Sequence, residues 1–216
     1  MTKRRTATVP DIGSRDRLRL AALAVFSERG FHGATTREIA ALAEMSPAAV
    51  YLHYRSKAEL LETVIVEAHD VLIAALDAGT SAPAASPLDT LRQLVQAHVT
   101  YHASHQAMAR VANHELPALE HAARARVLSM RRQIEDRFQL AIENCVAADL
   151  CTVENVRLAV FGILSIGIGV ARWFKPEGSY TPQRLGRLYS GMAVHMLTAE
   201  ESFDQPASMS EASRGT

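Results

Sequence analysis

The sequence predicts an all-α chain, with three short N-terminal helices carried on a larger C-terminal helical bundle. Three observations carry that reading. Apolar residues recur at intervals of three and four, and no stretch shows the period of two that a half-buried strand requires. Residues 35–57 hold two helix starts only a few residues apart, each with its own capping signal. Gly79-Thr80-Ser81-Ala82-Pro83-Ala84-Ala85-Ser86-Pro87 is dense in helix breakers and separates the early helices from the rest. No internal repeat is visible.

The first helix runs over about 14–29, with Leu18, Ala21, Ala22, Val25 and Phe26 on one face, and Gly30 ends it. Thr35 or Thr36 caps a second helix over about 36–43, and Glu38 stands at the capping-box position. Ile39, Leu42 and Ala43 give that helix its buried face. Glu44-Met45-Ser46 then breaks the pattern. Ser46 caps a third helix over 47–53, with Pro47 at the first position, where a missing N–H costs nothing. Ala48 and Ala49 leave its front smooth, while Val50 faces the core. Two short helices joined this tightly are the layout of a helix-turn-helix, whose second helix enters the major groove of DNA.

A fourth helix spans about 57–78, a fifth 88–103 and a sixth 105–114. The seventh, about 117–147, carries Leu128, Ile134, Phe138 and Ile142 at helical spacing. The eighth covers about 153–174, and the ninth starts after Pro182 and runs to about 198. The expected organisation is a basic arm over 1–13, a helix-turn-helix unit over 14–56, a body over 57–199 and a disordered tail over 200–216.

Charge divides along the same line. Residues 1–60 hold ten Lys/Arg against six Asp/Glu, and the remainder holds 13 against 17, so a head of +4 sits on a body of −4. One basic end suits a protein that touches nucleic acid with that end alone. The arm Lys3-Arg4-Arg5 fits a minor groove or phosphates, and equally a solvated tail. With 48% hydrophobic residues in 216, a sizeable core is available. No uncharged apolar run reaches 18 residues and no signal peptide is indicated, so neither a membrane span nor export is expected. Cys145 and Cys151 are the only cysteines, which predicts buried thiols in a reducing, cytoplasmic setting. There is no Gly-x-Ser-x-Gly, no phosphate-binding glycine loop and no paired-carboxylate motif, so neither an enzyme nor a bound cofactor is expected.

The pattern Phe26-x-x-x-Gly30-Phe31-x-x-Ala34-Thr35-Thr36-x-x-Ile39-Ala40, followed by Val50-Tyr51-x-x-Tyr54-x-x-Lys57-x-x-Leu60, resembles the DNA-binding domain of the tetracycline-repressor family over about residues 15–62. Tyr54 stands where that family usually has Phe. The resemblance implies a three-helix helix-turn-helix DNA-binding domain plus a C-terminal ligand-binding and dimerisation domain. It implies a repressor bound to double-stranded DNA at a palindromic operator. It also maps DNA contacts onto Thr36, Arg37, Ser46, Pro47, Ala48, Tyr51, His53, Tyr54 and Lys57, with Lys57 facing phosphate.

Phe161 to Ala171 is apolar on every side and predicts a helix buried all round. A second copy of the chain covers such a helix, and an ordinary central core does so too. Gly162, Ser165, Gly167 and Gly169 are small enough for close backbone approach. With Ile166 and Trp173, and with Leu185, Leu188, Tyr189, Met192 and Met196 on the last helix, they predict a four-helix homodimer interface. Arg172-Trp173-Phe174-Lys175-Pro176-x-Gly178-x-x-Thr181-Pro182 is similar to a linker in an acyl-CoA-responsive subgroup of the same family. An acyl-CoA ligand would need arginines from elsewhere in the body for its phosphates, such as Arg110, Arg124, Arg131 or Arg132.

A ligand cavity is expected among Val66, Val99, Val111 and Met130, together with Ile134, Phe138, Phe161 and Leu164. His69, His102 and Ser165 are its expected polar contacts. Such a cavity suits a small lipid-like, aromatic or acyl-CoA effector. His98, His102 and His105 share one helical face if the fifth helix continues through 105, a spacing that can hold a metal. A histidine-based metal sensor and an adaptor dimer that binds no DNA are therefore the alternatives. No metal site is assigned.

Overall fold

A computed structural model describes residues 13–198, so the Lys3-Arg4-Arg5 arm and the 200–216 segment lie outside the described residues. The described residues form nine α-helices, one 3-10 turn and no strand. In chain order these are α1 (Ser14–Gly33), α2 (Thr36–Leu42), α3 (Pro47–His53), α4 (Lys57–Gly79), α5 (Pro87–Ser104), α6 (Gln106–His114), α7 (His121–Ala147), α8 (Val156–Trp173) and α9 (Pro182–Thr198), with the 3-10 turn at Leu116–Ala118 between α6 and α7.

Local chemistry sets most of these limits. Thr35 is the cap of α2: its hydroxyl accepts from the Glu38 amide at 3.2 Å, and its own amide donates to the Glu38 carboxylate at 3.0 Å. Ser46, Ser56, Ser86 and Asn155 cap α3, α4, α5 and α8, each side chain accepting from the amide three residues on. The turn after α2 closes with the Met45 amide on the Ala40 carbonyl at 2.8 Å and the Glu44 amide on the Ala41 carbonyl at 3.1 Å. That pairing places Glu44 at φ 56, a left-handed conformation usually left to glycine.

The first and seventh helices differ from their expected limits, and the condition for a shared histidine face fails, each for a tertiary or backbone reason. Gly30 does end the first helical run, at φ 68, but one more turn follows and brings Phe31 back against Phe26, ring centroids 5.9 Å apart. The seventh helix starts at His121 instead of near Pro117, because Leu119 is extended and sends its side chain into the core beneath α1. His105 breaks α5 from α6 at φ −122, ψ 46, so the histidine triplet does not share one helix.

The core has two parts. One lies in the head, where Leu18, Phe26, Ile39 and Val50 meet Leu60, Leu61 and Ile65 of α4, and it also takes in Val111, Leu119, Ala123, Val127 and Met130 from the body. The second fills the body around α5, which packs on α4, α7, α8 and α9. Ion pairs Arg19–Glu67 and Arg137–Asp77, the latter at 2.9 Å, tie α1 to the middle of α4 and α7 to its C-terminal end.

Helix α8 is long and apolar enough to cross a membrane by length and composition. It is not buried all round, however. Val160, Ile163, Leu164, Gly167, Val170 and Ala171 face inward, while Leu158, Phe161 and Trp173 are exposed.

Candidate nucleic-acid interface and effector cavity

The head presents the N-terminal ends of α2 and α3 side by side. Because Thr35 is committed as the cap, Thr36 is left to face outward, and its hydroxyl lies 3.4 Å from the Tyr51 hydroxyl. Arg37, Ser46, Pro47, Ala48 and Tyr51 are exposed, and Thr36, His53 and Lys57 are half-buried. Ser46 also accepts from the Ala49 amide at 3.3 Å, which fixes the start of α3. Arg29 pairs with Glu38, and hydrogen bonds from Thr35, then the Arg29 charge, hold the Glu38 carboxyl below its ordinary range.

Two of the residues mapped to DNA are used inside the protein. Tyr54 is 1% exposed, with its hydroxyl donating to the Arg15 carbonyl at 3.4 Å and the Arg15 guanidinium 5.3 Å from its ring. It therefore anchors the end of α3 in the core and is withdrawn from the contact surface. The Lys57 ammonium donates to the Phe31 and Ala34 carbonyls, both at 2.7 Å, and sits 4.3 Å from the Phe31 ring centroid. One residue not expected at this surface is Leu52, 83% exposed on α3. Its flank, Tyr51 on one side and His53 on the other, was the available signal.

Below the head, α4, α5, α6, α7 and α8 line a partly open cavity of about 160 Å³. Of the expected lining, His69, His102, Ile134, Phe161, Leu164 and Ser165 are in its wall. Val66, Val99, Val111, Met130 and Phe138 are not. Val66, Val111 and Met130 belong to the head core, and Val99 and Phe138 are fully buried in the body core, Phe138 behind the wall with its ring edge on His98 at 5.6 Å. His98, Tyr101, Asn113 and Glu135 line the cavity unexpectedly, and Arg131 is the one of the four arginines named for an acyl-CoA ligand that does, so eight of the sixteen lining residues carry polar side chains. Helical spacing marks a residue as inward-facing without telling whether packed core or open space lies beyond it.

The histidines have fixed roles. His69 Nδ1 donates to the Ile65 carbonyl at 2.8 Å, and His102 Nδ1 to the His98 carbonyl at 2.9 Å. A carbonyl only accepts, so each neutral ring keeps its lone pair on Nε2. Burial pushes the pKa of His69 down, that of His102 to about 4, and that of His98 well below the ordinary value. The His98 and His102 rings lie 4.3 Å apart, and His98 fits only because Gly167 has no side chain, since an added Cβ would collide with it. Gly167 is therefore spent inside the chain. His105 turns away to stack on Tyr101 at 4.9 Å. Among the described residues no three His, Cys, Asp or Glu side chains stand where they could share a metal ion.

A third surface lies on the outside of α8 and α9. Leu158, Phe161, Trp173, Leu188, Met192 and Met196 are 41–67% exposed there, and a Cβ added at Gly162, Gly169 or Gly191 would meet open space. Ile166 and Tyr189 are half-buried on these helices. Leu185 differs: it is 3% exposed and packs into the body core.

Comparison with known proteins agrees with this layout. The family described as "Bacterial regulatory proteins, tetR family" matches residues 18–64, and "Tetracyclin repressor-like, C-terminal domain" matches residues 84–197. The HTH-type transcriptional repressor KstR2 of Mycobacterium tuberculosis is 26% identical over 189 residues, 85% of this chain and 92% of its own. A bacterial regulatory protein of the tetR family from Rhodococcus RHA1 superposes with TM-score 0.81 at 34% identity, covering 88% of this chain and 100% of that one. AibR, solved in complex with isovaleryl coenzyme A and operator DNA, superposes with TM-score 0.75 at 21% identity, covering 86% and 98%. The chain belongs to the tetracycline-repressor family of DNA-binding transcriptional regulators and is not an enzyme.

Proposed function

We propose that the chain acts in the cytoplasm as a homodimeric repressor that holds a palindromic operator with two heads and leaves it when a small effector fills the cavity. The observation that carries this reading is the shared seating of head and cavity. Helices α4, α6 and α7 form cavity wall on one side and, through Leu61, Val111 and Val127, floor of the head core on the other. A ligand that favours one packing of these helices shifts the head with them, in proportion to its differential affinity for the two arrangements.

The open face of α8 and α9 supports a two-fold contact with a second copy, through Gly162, Ile166, Gly169 and Trp173 on one helix and Leu188, Tyr189, Met192 and Met196 on the other. At the DNA, Thr36, Arg37, Ser46, Pro47, Ala48, Tyr51 and His53 meet bases and phosphates. Lys57 adds a phosphate contact with the one ammonium proton not given to Phe31 or Ala34. AibR takes an acyl-CoA and operator DNA together, which supports an organic effector here over a metal ion.

A mobility-shift titration on the DNA upstream of the chain's own gene tests the reading. The wild type is expected to shift it and Tyr51→Ala to weaken that shift by roughly tenfold or more, the loss of one or two base-edge contacts. Equal binding to unrelated DNA at every salt concentration would overturn it.

A further inference from the structure

The cavity wall carries a positive charge that no carboxylate among the described residues meets at contact range. The Arg131 guanidinium is half-buried and donates to the Ala112 carbonyl at 2.8 Å, and no Asp or Glu oxygen among the described residues lies within 4.0 Å of it. Glu135 lines the same cavity one turn further along α7 and acts on Arg131 through its charge, but from beyond that distance. In the same cavity wall, the lone pairs on His69 Nε2 and His102 Nε2 are left free by the backbone bonds at Nδ1.

We propose that the effector is a small hydroxylated aromatic acid, with its carboxylate on Arg131 and its hydroxyl on the histidines of α4 and α5. The proposal rests on the regulator reading above and names the chemistry of the same cavity. A guanidinium offers paired N–H donors in a plane, and the matching group is a carboxylate, which supplies the contact-range partner that Glu135 does not reach to give. Taking a cation out of water without such a partner is costly, and the acid removes that cost. The histidines are acceptors at neutral pH, so they need a donor from the ligand, and a hydroxyl provides one.

Size and walls set the rest of the molecule. A cavity of about 150 Å³ admits benzene, and this one is about 160 Å³, so it holds a single ring. Leu72, Ile134, Phe161, Leu164 and Ile168 surround that ring with apolar surface. A sugar leaves those walls unmatched, and a coenzyme A thioester has no negative charge at its acyl end for Arg131 to meet.

The test titrates the full chain by calorimetry with 2-, 3- and 4-hydroxybenzoate, with the three hydroxybenzamides, and with 4-hydroxybenzoyl-CoA. At least one acid is expected to bind roughly tenfold more tightly than its amide, as one charge-assisted pair provides. Arg131→Gln should bring acid and amide within about twofold of each other. Should that variant fail to melt cooperatively, Arg131→Lys, which keeps the charge and loses the planar fork, is expected to show an intermediate acid preference. No binding by any acid, equal binding by acids and amides, tighter binding of the thioester, or an undiminished acid preference in the folded variant would each overturn the proposal. The same samples are run against upstream DNA. Failure to shift DNA at all overturns the regulator reading, while the acid–amide comparison is decided by the calorimetry alone.

Discussion

Lys57 gives two of its three N–H bonds to the carbonyls that end α1, Phe31 and Ala34, and so braces the junction of α1 with α4. Removing it leaves two partly buried carbonyls without a donor. Lys57→Met is therefore expected to lower the melting stability by roughly 1–3 kcal/mol. The same variant, assayed well below its melting point, should bind all DNA more weakly with a salt slope reduced by about one unit. A titration across ionic strength that leaves the slope unchanged would confine Lys57 to bracing the head. His102 makes a second prediction, on pH. In the folded chain it stays neutral down to about pH 4, while an ordinary histidine takes a proton near 6.5. Between those values the unfolded chain binds the extra proton, so acid favours unfolding. Stability is then level above pH 6.5 and is lost as pH falls towards 4, by about 3 kcal/mol for this residue alone. His69 and His98 are pushed the same way. Thermal melts at stepped pH check the slope, and His102→Gln should flatten it.

Elements whose limits rest on neighbouring residues were legible in the sequence. The Thr35–Glu38 box and the Ser46-Pro47 start need nothing beyond the local chain, and α2 and α3 begin where these residues say. The start of α7 was not legible, because Leu119 is held extended by a core built from distant helices. The faces of α8 were hidden for a different reason. Its composition is uniform, and the seat of His98 on Gly167 marks the side that turns inward. The cavity was half legible for the same reason. Leu164 and Phe138 are alike in sequence terms, yet one lines open space and the other is fully buried. Leu164→Trp should therefore fill the cavity and abolish the response to effector while DNA binding persists. Phe138→Trp should instead overpack the body and cost about 1–3 kcal/mol in a denaturant melt. If Leu164→Trp still releases DNA at the same effector concentration, the effector binds elsewhere. On α9, Met192 is 54% exposed amid the open stripe. Met192→Asp places a charge in the proposed contact, and sedimentation velocity should find monomers that still melt cooperatively, at a temperature lowered only by the lost association. A dimer that persists would move the interface away from this face.

At the scale of the whole molecule, the head is not a separate bead on the body. Its core takes Val111, Leu119 and Val127 from below, and Arg19–Glu67 clamps α1 to the middle of α4. Small changes in how α4, α6 and α7 pack thus reach α3 without a flexible joint between them. Release then depends on two heads held at one spacing, since only a dimer converts a small tilt into loss of both half-sites. A footprint on the upstream DNA, with the stoichiometry of the complex taken from the same sample, tests this most directly. Two protected half-sites are expected about one helical turn or a multiple of it apart, roughly 34–36 Å per turn, occupied by an even number of chains and deprotected together when effector is added. A single protected half-site bound by one chain, or two half-sites released independently, would contradict it.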